Sequence, residues 1–180
     1  MIYTSGIVKD LEHEETLEQL QDNKLVVVCE KLGLQPGDRY LDIGCGWGTL
    51  VAFAAKNYGC DATGVTLARN QAKFGNQRIK DNGVDPKTAR ILCKDFREVQ
   101  DGSGTFNKIS SLEMAEVCQI HYGMRERQHS YMDCSMSVSG AMVNSCARFT
   151  TSSTTMVSFS SKLLVSAPSG STRTSFGACS

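Results

Sequence analysis

The stretch LDIGCGWGTL, from Leu41 to Leu50, decides the fold of this chain. Its first three residues are typical of the end of a short apolar strand, and glycine then recurs at every second position up to Gly48. Because glycine has no Cβ, a strand that turns into a helix through glycines brings backbone N–H groups and a positive helix end against a ligand. The stretch therefore predicts a ligand-binding loop, and the alternative is an ordinary strand-to-helix turn.

The spacing of the glycines distinguishes between two kinds of ligand. A dinucleotide-binding loop has glycines at the first, third and sixth places, whereas here the fifth place is Gly48 and the sixth is Thr49. This GxGxG form, led by an acidic residue, resembles the nucleoside-binding loop of S-adenosylmethionine (SAM) methyltransferases. The cofactor-binding candidates in the loop are Asp42, Gly44, Cys45, Gly46, Trp47 and Gly48. For the tryptophan, a packing role is the alternative.

Apolar patterns predict alternating helices and strands over the first two-thirds of the chain. Helices are predicted over 14–32, 50–58 and 70–82, and strands over 39–43, 62–67, 89–94 and 106–112. This alternation predicts an α/β fold with a Rossmann-like, doubly wound parallel sheet. Ligands of such sheets bind beyond the carboxyl ends of the strands. The candidate segments are therefore 44–48, 66–71, 95–96 and 113–116.

Charge and hydropathy exclude several classes of partner. The chain has 19 basic and 19 acidic residues and a net charge of zero, without the basic excess of a nucleic-acid-binding protein. No apolar run of about 18 residues predicts a transmembrane segment, and the N-terminus does not resemble a signal peptide. We therefore expect a soluble, intracellular chain that binds no nucleic acid. The sequence indicates no oligomeric state.

The cysteines predict neither disulfides nor a metal site. Four of them stand singly in predicted helices or strands, namely Cys29, Cys45, Cys60 and Cys93. We expect these four to be reduced core thiols. The spacing Cys118-x-x-His121, followed by His129 and Cys134, is the alternative reading as a zinc site. Such pairs also arise by chance, so no metal site is predicted.

The composition changes abruptly after Glu116. No carboxylate follows Asp133, and serine and threonine dominate the remaining sequence. A segment of this kind buries little apolar surface. We therefore divide the chain into residues 1–116, which the resemblance of the glycine loop implies to be the N-terminal half of a SAM-dependent methyltransferase domain, and residues 117–180, an aberrant tail. The tail is expected to be largely irregular and not to pack.

Six strings of sequence carry a family resemblance. They are MIYTSGIVKD, EETLEQLQDNKL, LGLQPGDRYLDIGCGWGTL, GVTLARNQ, RILCKDFRE and KISSLEMAE. Through them, residues 1–116 resemble the cyclopropane-fatty-acid synthase family, and within it the fungal sphingolipid carbon-9 methyltransferases. The resemblance covers about two-thirds of this chain but only the middle of a family member. The membrane-spanning N-terminal part and the C-terminal substrate-binding part of the fungal enzymes have no counterpart in it.

The resemblance implies a set of SAM contacts. Tyr3 and Thr4 match the family's SAM-contacting Tyr-Ser pair, and residues 42 and 44–48 match its glycine loop. The loop that recognises the ribose is matched by Thr66, Leu67, Asn70 and Gln71. Asp95 and Phe96 match the pair beside the adenine. For the phenylalanine, packing in the core is the alternative.

The resemblance also implies a catalytic acid. Glu116 matches the acid of the family's active-site Glu-His-Val-Gly segment, which in the cyclopropane synthases helps to hold a bicarbonate that acts as a base. Two departures stand out: Ser5 replaces an active-site Cys of many cyclopropane synthases, and Val117-Cys118-Gln119 replaces His-Val-Gly. Because Glu113 and Glu116 lie three residues apart, a solvated helix face is the alternative for both.

The tail can be read as a frame-shifted family sequence. Back-translated with permitted codons and read two bases late, residues 147–157 can give Glu-Val-Tyr-Asp-Leu-Leu-Asp-Asp-Asp-Gly, a string similar to fungal family members. Read in the same way, residues 135–138 can give the missing His-Val-Gly. The codons of 117–118 can contain a splice donor and those of 134–135 an acceptor, about 56 nucleotides apart. We therefore hypothesise that the tail translates a retained intron and then continues out of frame.

The function implied by the resemblance is SAM-dependent methyl transfer to a lipid alkene carbon. Its substrate would be an unsaturated sphingolipid or fatty acyl chain, and the parent enzyme would lie at the cytosolic face of the endoplasmic reticulum membrane. The chain as written is expected to be inactive. Two alternatives stay open: a small-molecule SAM methyltransferase on the same fold, and a non-catalytic SAM-binding module with a disordered Ser/Thr tail.

Overall fold

Four parallel strands form the centre of one sheet. The computed structural model describes residues 5–99 and 106–112, together with the backbone of three tail strands at 155–160, 163–168 and 175–177. The four central strands are β1 (Arg39–Ile43), β2 (Asp61–Thr66), β3 (Ala89–Cys93) and β4 (Lys108–Leu112). Their order, β3-β2-β1-β4, confirms the predicted parallel sheet and the α/β class.

Three helices accompany these strands: α1 (Leu17–Leu32), α2 (Thr49–Tyr58) and α3 (Arg69–Asp81). The crossovers from β1 to β2 and from β2 to β3 run through α2 and α3, as parallel neighbours require. The first helix begins three residues later than predicted because Thr16 caps it. The Gln19 N–H donates to the Thr16 hydroxyl at 3.3 Å, and the Gln19 side chain accepts from the Thr16 N–H at 2.7 Å. No helix within the described ranges has the length and apolarity needed to cross a membrane.

The sheet separates two apolar layers. The layer that contains the three helices includes Tyr40, Ala62 and Ile91 from the strands. The opposite layer is built from Leu41, Ile43, Val65, Val99, Phe106 and Ile109. Because successive side chains of a strand point to opposite faces, Asp42 lies on the helix-covered face together with Tyr40.

The strand order reverses beside β1. The chain runs from β1 through β2 to β3 on one side and then returns to β4 on the other side of β1. In open α/β sheets, ligands bind beyond the carboxyl ends of the strands at such a point. The register places Asp42 between Gly64 of β2 and Ser110 of β4. The glycine loop therefore begins where the fold favours a ligand.

The described parts of the tail differ from the prediction. β5 (Thr155–Ser160) pairs in parallel with β4, and β6 (Leu163–Pro168) and β7 (Ser175–Gly177) extend the sheet as antiparallel strands. The sequence predicts that residues 117–180 are largely irregular and do not pack, and the second part of that prediction is wrong for these three segments, which pair with the sheet. An open edge of β4 offers unpaired N–H and C=O groups, and the string TMVSFS is rich in residues of high strand propensity. The cysteines and histidines of the alternative zinc reading, within 118–134, lie outside the described residues.

The four cysteines of the first part of the chain are free thiols. Cys29 and Cys60 are buried as expected, and burial raises the pKa of the first to about 12 and of the second to about 11. Cys45 is half-buried. Cys93 is exposed, so the prediction of a core thiol is wrong there. It is the last residue of β3 and emerges at the carboxyl edge of the sheet.

Candidate functional site

The glycine loop is tied to the end of the neighbouring strand β2. The N–H groups of Gly44 and Cys45 both donate to the carbonyl oxygen of Val65, at 3.0 Å each. The φ angles of Gly44, Gly46 and Gly48 are 76°, 54° and 73°, a region that residues with a Cβ rarely adopt. The loop backbone therefore requires glycine at the three alternate positions seen in the sequence.

Two of these glycines have different surroundings. A Cβ on Gly48 would overlap the Cδ1 of Ile91 and lie 3.3 Å from the Cα of Gly75, so Gly48 permits close packing of the loop on α3 and β3. A Cβ on Gly46 would meet no described atom within 4 Å. The loop is thus packed on one side and open at Gly46, which leaves room for a ligand against its backbone.

Trp47, the aromatic residue of the loop, packs against α3. Its ring meets that of Phe74 edge to face, with the centroids 5.2 Å apart. The Arg78 guanidinium lies 5.1 Å from the Phe74 ring centroid and donates to the Thr49 hydroxyl. These contacts fit the packing alternative for Trp47. Its buried Nε1 has no hydrogen-bond partner in the part of the chain that the structure describes.

Asp42 is the buried acid of the candidate site. Its exposed fraction is 3%, and its Oδ1 accepts a hydrogen bond from the Ser110 hydroxyl at 2.5 Å. The Tyr40 hydroxyl lies 2.6 Å from the same Ser110 oxygen. Burial raises the pKa of Asp42 to about 7, and the hydrogen bond from Ser110 opposes that rise. Both forms of the carboxyl are therefore present near neutral pH, and a nearby cation would favour the ionised one.

Sequence reasoning missed Tyr40 and Ser110. The available signal is that both are polar residues within short strands that are otherwise apolar, where a buried polar group needs a hydrogen-bond partner. The identity of that partner depends on the register between β1 and β4, in which Asp42 stands opposite Ser110. A single sequence does not reveal which residues of the two strands lie opposite each other.

The predicted ribose-recognition segment follows β2, beside the glycine loop. The Thr66 hydroxyl donates to the Gln71 side-chain oxygen at 2.7 Å and accepts from the Ala68 N–H at 3.3 Å. Leu67 is 76% exposed, and Asn70 is exposed as well. The structure thus brings the candidates of this segment to the same end of the sheet as the glycine loop, with apolar and amide groups turned outward.

The predicted adenine pair follows β3. Asp95 caps a short 3-10 helix (Phe96–Glu98), and its two carboxylate oxygens accept from Arg97 Nε at 2.9 Å and Nη2 at 2.6 Å. The Arg97 hydrogen bonds hold the pKa of Asp95 below its usual value. Phe96 is half-buried and packs against the apolar layer opposite the helices. Asp95 is therefore an ionised acceptor in a fixed orientation, and Phe96 has at least a packing role.

The remaining candidates lie outside the described residues. They are Tyr3, Thr4 and the catalytic candidate Glu116, together with its neighbour Glu113. Their roles stay predictions. Among the described residues, no group of three or more His, Cys, Asp or Glu side chains could hold a metal ion.

Replacing Asp42 by asparagine is expected to raise stability at high pH. A carboxyl whose pKa rises from 3.8 to about 7 on folding contributes stability below the unfolded pKa, and this is lost as the pH rises through the folded pKa. Above that range the buried charge costs on the order of a few kcal/mol, and asparagine carries no charge. Urea unfolding of both proteins should give a difference in unfolding free energy that grows between about pH 4 and about pH 7 and then levels off. An equal difference at every pH would contradict the assigned titration.

Curated relatives of this chain are methyltransferases. The chain is 56% identical to Sphingolipid C9-methyltransferase A of Emericella nidulans over 125 residues, which are 69% of this chain and 23% of that protein. It is 51% identical to the Sphingolipid C9-methyltransferase of Komagataella phaffii over 132 residues, 70% of this chain and 26% of that protein. The chain spans about a quarter of the length of these relatives.

Solved structures share the fold. The cyclopropane synthase MmaA2 from Mycobacterium tuberculosis has a TM-score of 0.67 and 25% identity, over 87% of this chain and 47% of that chain. Mycolic acid cyclopropane synthase CmaA1, solved with SAH and CTAB, has a TM-score of 0.64 and 24% identity, over the same shares of the two chains, 87% and 47%. The sequence also matches the family described as Mycolic acid cyclopropane synthetase over residues 1–160. The chain therefore belongs to the mycolic acid cyclopropane synthetase family.

Proposed function

We propose that this chain carries the SAM-binding half of a C-methyltransferase that acts on a lipid double bond. The reaction would be sphingolipid C9-methylation or a related cyclopropane-synthase-type reaction. The observation that carries the proposal is the glycine loop at the strand-order reversal, open at Gly46 and next to the buried carboxyl of Asp42. The names and identities of the fungal relatives support the lipid substrate.

The site suits SAM better than a dinucleotide. Thr66 ends β2, where a dinucleotide-binding fold has an acid for the ribose. The exposed side chain of Leu67 offers apolar surface to a nucleoside base. SAM also carries positive charge on its sulfonium and amino groups, which the carboxylate of Asp42 would stabilise.

In the proposed reaction, the π electrons of the lipid double bond attack the methyl carbon of SAM. A C–C bond forms, the C–S bond breaks, S-adenosylhomocysteine (SAH) leaves, and the resulting carbocation loses a proton to a base near Glu116. Loss that regenerates an alkene gives a branched sphingolipid, whereas loss from the new methyl group closes a cyclopropane ring. The contribution of the protein is to align the methyl group with the alkene and to exclude water from the cation.

Part of the proposal rests on the family resemblance alone. Tyr3 and Thr4 would contact SAM, and Glu116 would lie beside the reacting carbons. The bicarbonate that the resemblance implies would also lie near Glu116. We place the parent enzyme at the cytosolic face of the endoplasmic reticulum membrane, where its lipid substrate would be accessible.

Calorimetric titration of the full chain with SAM, SAH and NAD tests the proposal. We expect SAM and SAH to bind and NAD to bind at least about 100-fold more weakly, because the loop lacks the sixth-place glycine and β2 lacks the ribose-binding acid. Adenosine is the control ligand, since it separates recognition of the nucleoside from recognition of the methionine part. Comparable affinities for NAD and SAM would refute the assignment.

A non-catalytic SAM-binding module is the second candidate function. The observation in its favour is that β5, from the unusual tail, pairs along the whole of β4. Transcript sequence across residues 116–136 discriminates between the two candidates. A spliced, in-frame product supports the lipid enzyme, and an uninterrupted transcript in every sample supports the module.

A further inference from the structure

Three buried polar side chains form a chain of hydrogen bonds within the sheet. Tyr40 and Ser110 are 0% exposed and Asp42 is 3% exposed. The Tyr40 hydroxyl lies 2.6 Å from Ser110 Oγ, which lies 2.5 Å from Asp42 Oδ1. All three are on the helix-covered face, and Asp42 is separated from Gly44 by one residue. This series of hydrogen bonds therefore ends at the Asp42 carboxyl, next to the start of the glycine loop.

The direction of the hydrogen bonds follows from the number of protons. A hydroxyl has one proton, and Ser110 donates its proton to Asp42 Oδ1. The Tyr40 hydroxyl must then be the donor to Ser110 Oγ. Both protons are turned towards Asp42, an arrangement that stabilises its ionised form. A hydrogen bond to a charged acceptor is among the strong ones. The bond from Ser110 therefore offsets part of the free-energy cost of burying the Asp42 carboxylate.

No described side chain neutralises this carboxylate. The titratable groups that interact with Asp42 are Tyr40 on the same strand, Cys45 in the loop and Cys29 on α1, and none of them is basic. The causes of its own pKa shift are burial and the hydrogen bond from Ser110. No charged side chain of β2, β4, α1 or α2 is among them. A cationic ligand would supply the positive charge that these described groups lack.

We propose that Tyr40 and Ser110 are positioning residues of the SAM site, which hold the Asp42 carboxylate ionised and oriented towards a cationic ligand on the glycine loop. This inference deepens the proposed function and rests on it. Neither residue touches the ligand, since both are fully buried, and each acts through Asp42. A consequence is that binding of the cationic ligand releases a proton near neutral pH, because the cation favours the ionised carboxyl.

The test is SAM titration of the full chain and three variants by calorimetry, between about pH 5 and about pH 9. For the wild type, we expect affinity to rise with pH through about 7 and to level off above it, where the free carboxyl becomes fully ionised. Ser110→Ala should bind roughly tenfold more weakly at neutral pH, because a hydrogen bond to a charged group is lost, and its pH profile should move to higher pH. Tyr40→Phe should also weaken SAM binding and move the pH profile to higher pH, but by smaller amounts than Ser110→Ala.

Thr63→Val is the matched control. Thr63 is a β2 residue that is 2% exposed, and its hydroxyl has no hydrogen-bond partner within the described ranges. It lies beside Leu41 in the register, on the face opposite Asp42. Removing this hydroxyl should leave SAM affinity and its pH profile unchanged. Unfolding midpoints of all variants identify any loss of affinity that is due to misfolding.

The outcomes separate this inference from the proposed function. Absence of SAM binding by the folded wild type overturns both. Wild-type binding with an unchanged affinity and pH profile in folded Ser110→Ala and Tyr40→Phe overturns the inference alone. If Ser110→Ala fails to fold, Tyr40→Phe decides, since it removes one oxygen and keeps the ring. Repeating the wild-type titration in buffers of different ionisation enthalpy should show proton release, and its absence contradicts the inference.

Discussion

Replacing Gly46 by valine is expected to abolish SAM binding, with an affinity loss of at least about 100-fold. A Cβ at Gly46 would meet no described atom within 4 Å, so the new side chain enters the open space in which we place the ligand. The φ angle of 54° adds backbone strain of roughly 1–2 kcal/mol, which is less than the roughly 5–15 kcal/mol by which a typical domain is stable. The fold should therefore survive while the site is blocked. Calorimetric titration with SAM measures the effect.

Gly83→Val is the control for this variant. Gly83 has a φ angle of 70°, and a Cβ there would also meet no described atom within 4 Å. It follows the end of α3, near the amino ends of the strands, whereas the glycine loop lies at their carboxyl ends. Both variants therefore carry similar strain, and only one fills the proposed site. Unchanged SAM affinity in Gly46→Val, or an equal loss in Gly83→Val, would refute the placement of the ligand.

The central sheet was predictable because its signals are local. Strand β1 begins and ends at the predicted residues, and β2 and β3 lie within one residue of their predicted bounds. Glycines with positive φ angles follow the helices and β1, at positions 33, 44, 59 and 83. The sequence therefore marks the places where the chain turns. Side-chain capping shifts a boundary by a few residues, as Thr16 does for α1.

The tail was not predictable from composition because strand pairing depends on the partner. A Ser/Thr-rich segment buries little apolar surface by itself. The edge of β4 offers backbone donors and acceptors that any extended segment can use, and β5 uses them. The hydrogen bonds that link Tyr40, Ser110 and Asp42 were missed for a similar reason. They join strands β1 and β4, and Ser110 and Asp42 are 68 residues apart in the sequence.

The chain as written is expected to show no methyl transfer to an unsaturated sphingoid lipid. In the retained-intron hypothesis, the family pattern stops at Glu116, and Val117-Cys118-Gln119 stands in place of His-Val-Gly. The pairing of β5 with β4 continues the sheet, but it does not supply the residues that would follow Glu116, the proposed catalytic acid. A carbocation formed without those residues would lack a positioned base and protection from water. Mass spectrometry of lipid incubated with SAM and the purified chain measures the product.

The matched comparison is the protein encoded after removal of the proposed intron. Removing the proposed intron should restore Glu-His-Val-Gly and a continuous α/β pattern, and this protein is expected to methylate the lipid. Calorimetry must show that both proteins bind SAM, so that a difference in turnover reflects the residues after Glu116 and not the glycine loop. Clear methylated product from the chain as written would overturn the retained-intron hypothesis, because an out-of-frame segment has no reason to complete an active site. Activity in neither protein would instead favour the non-catalytic SAM-binding module.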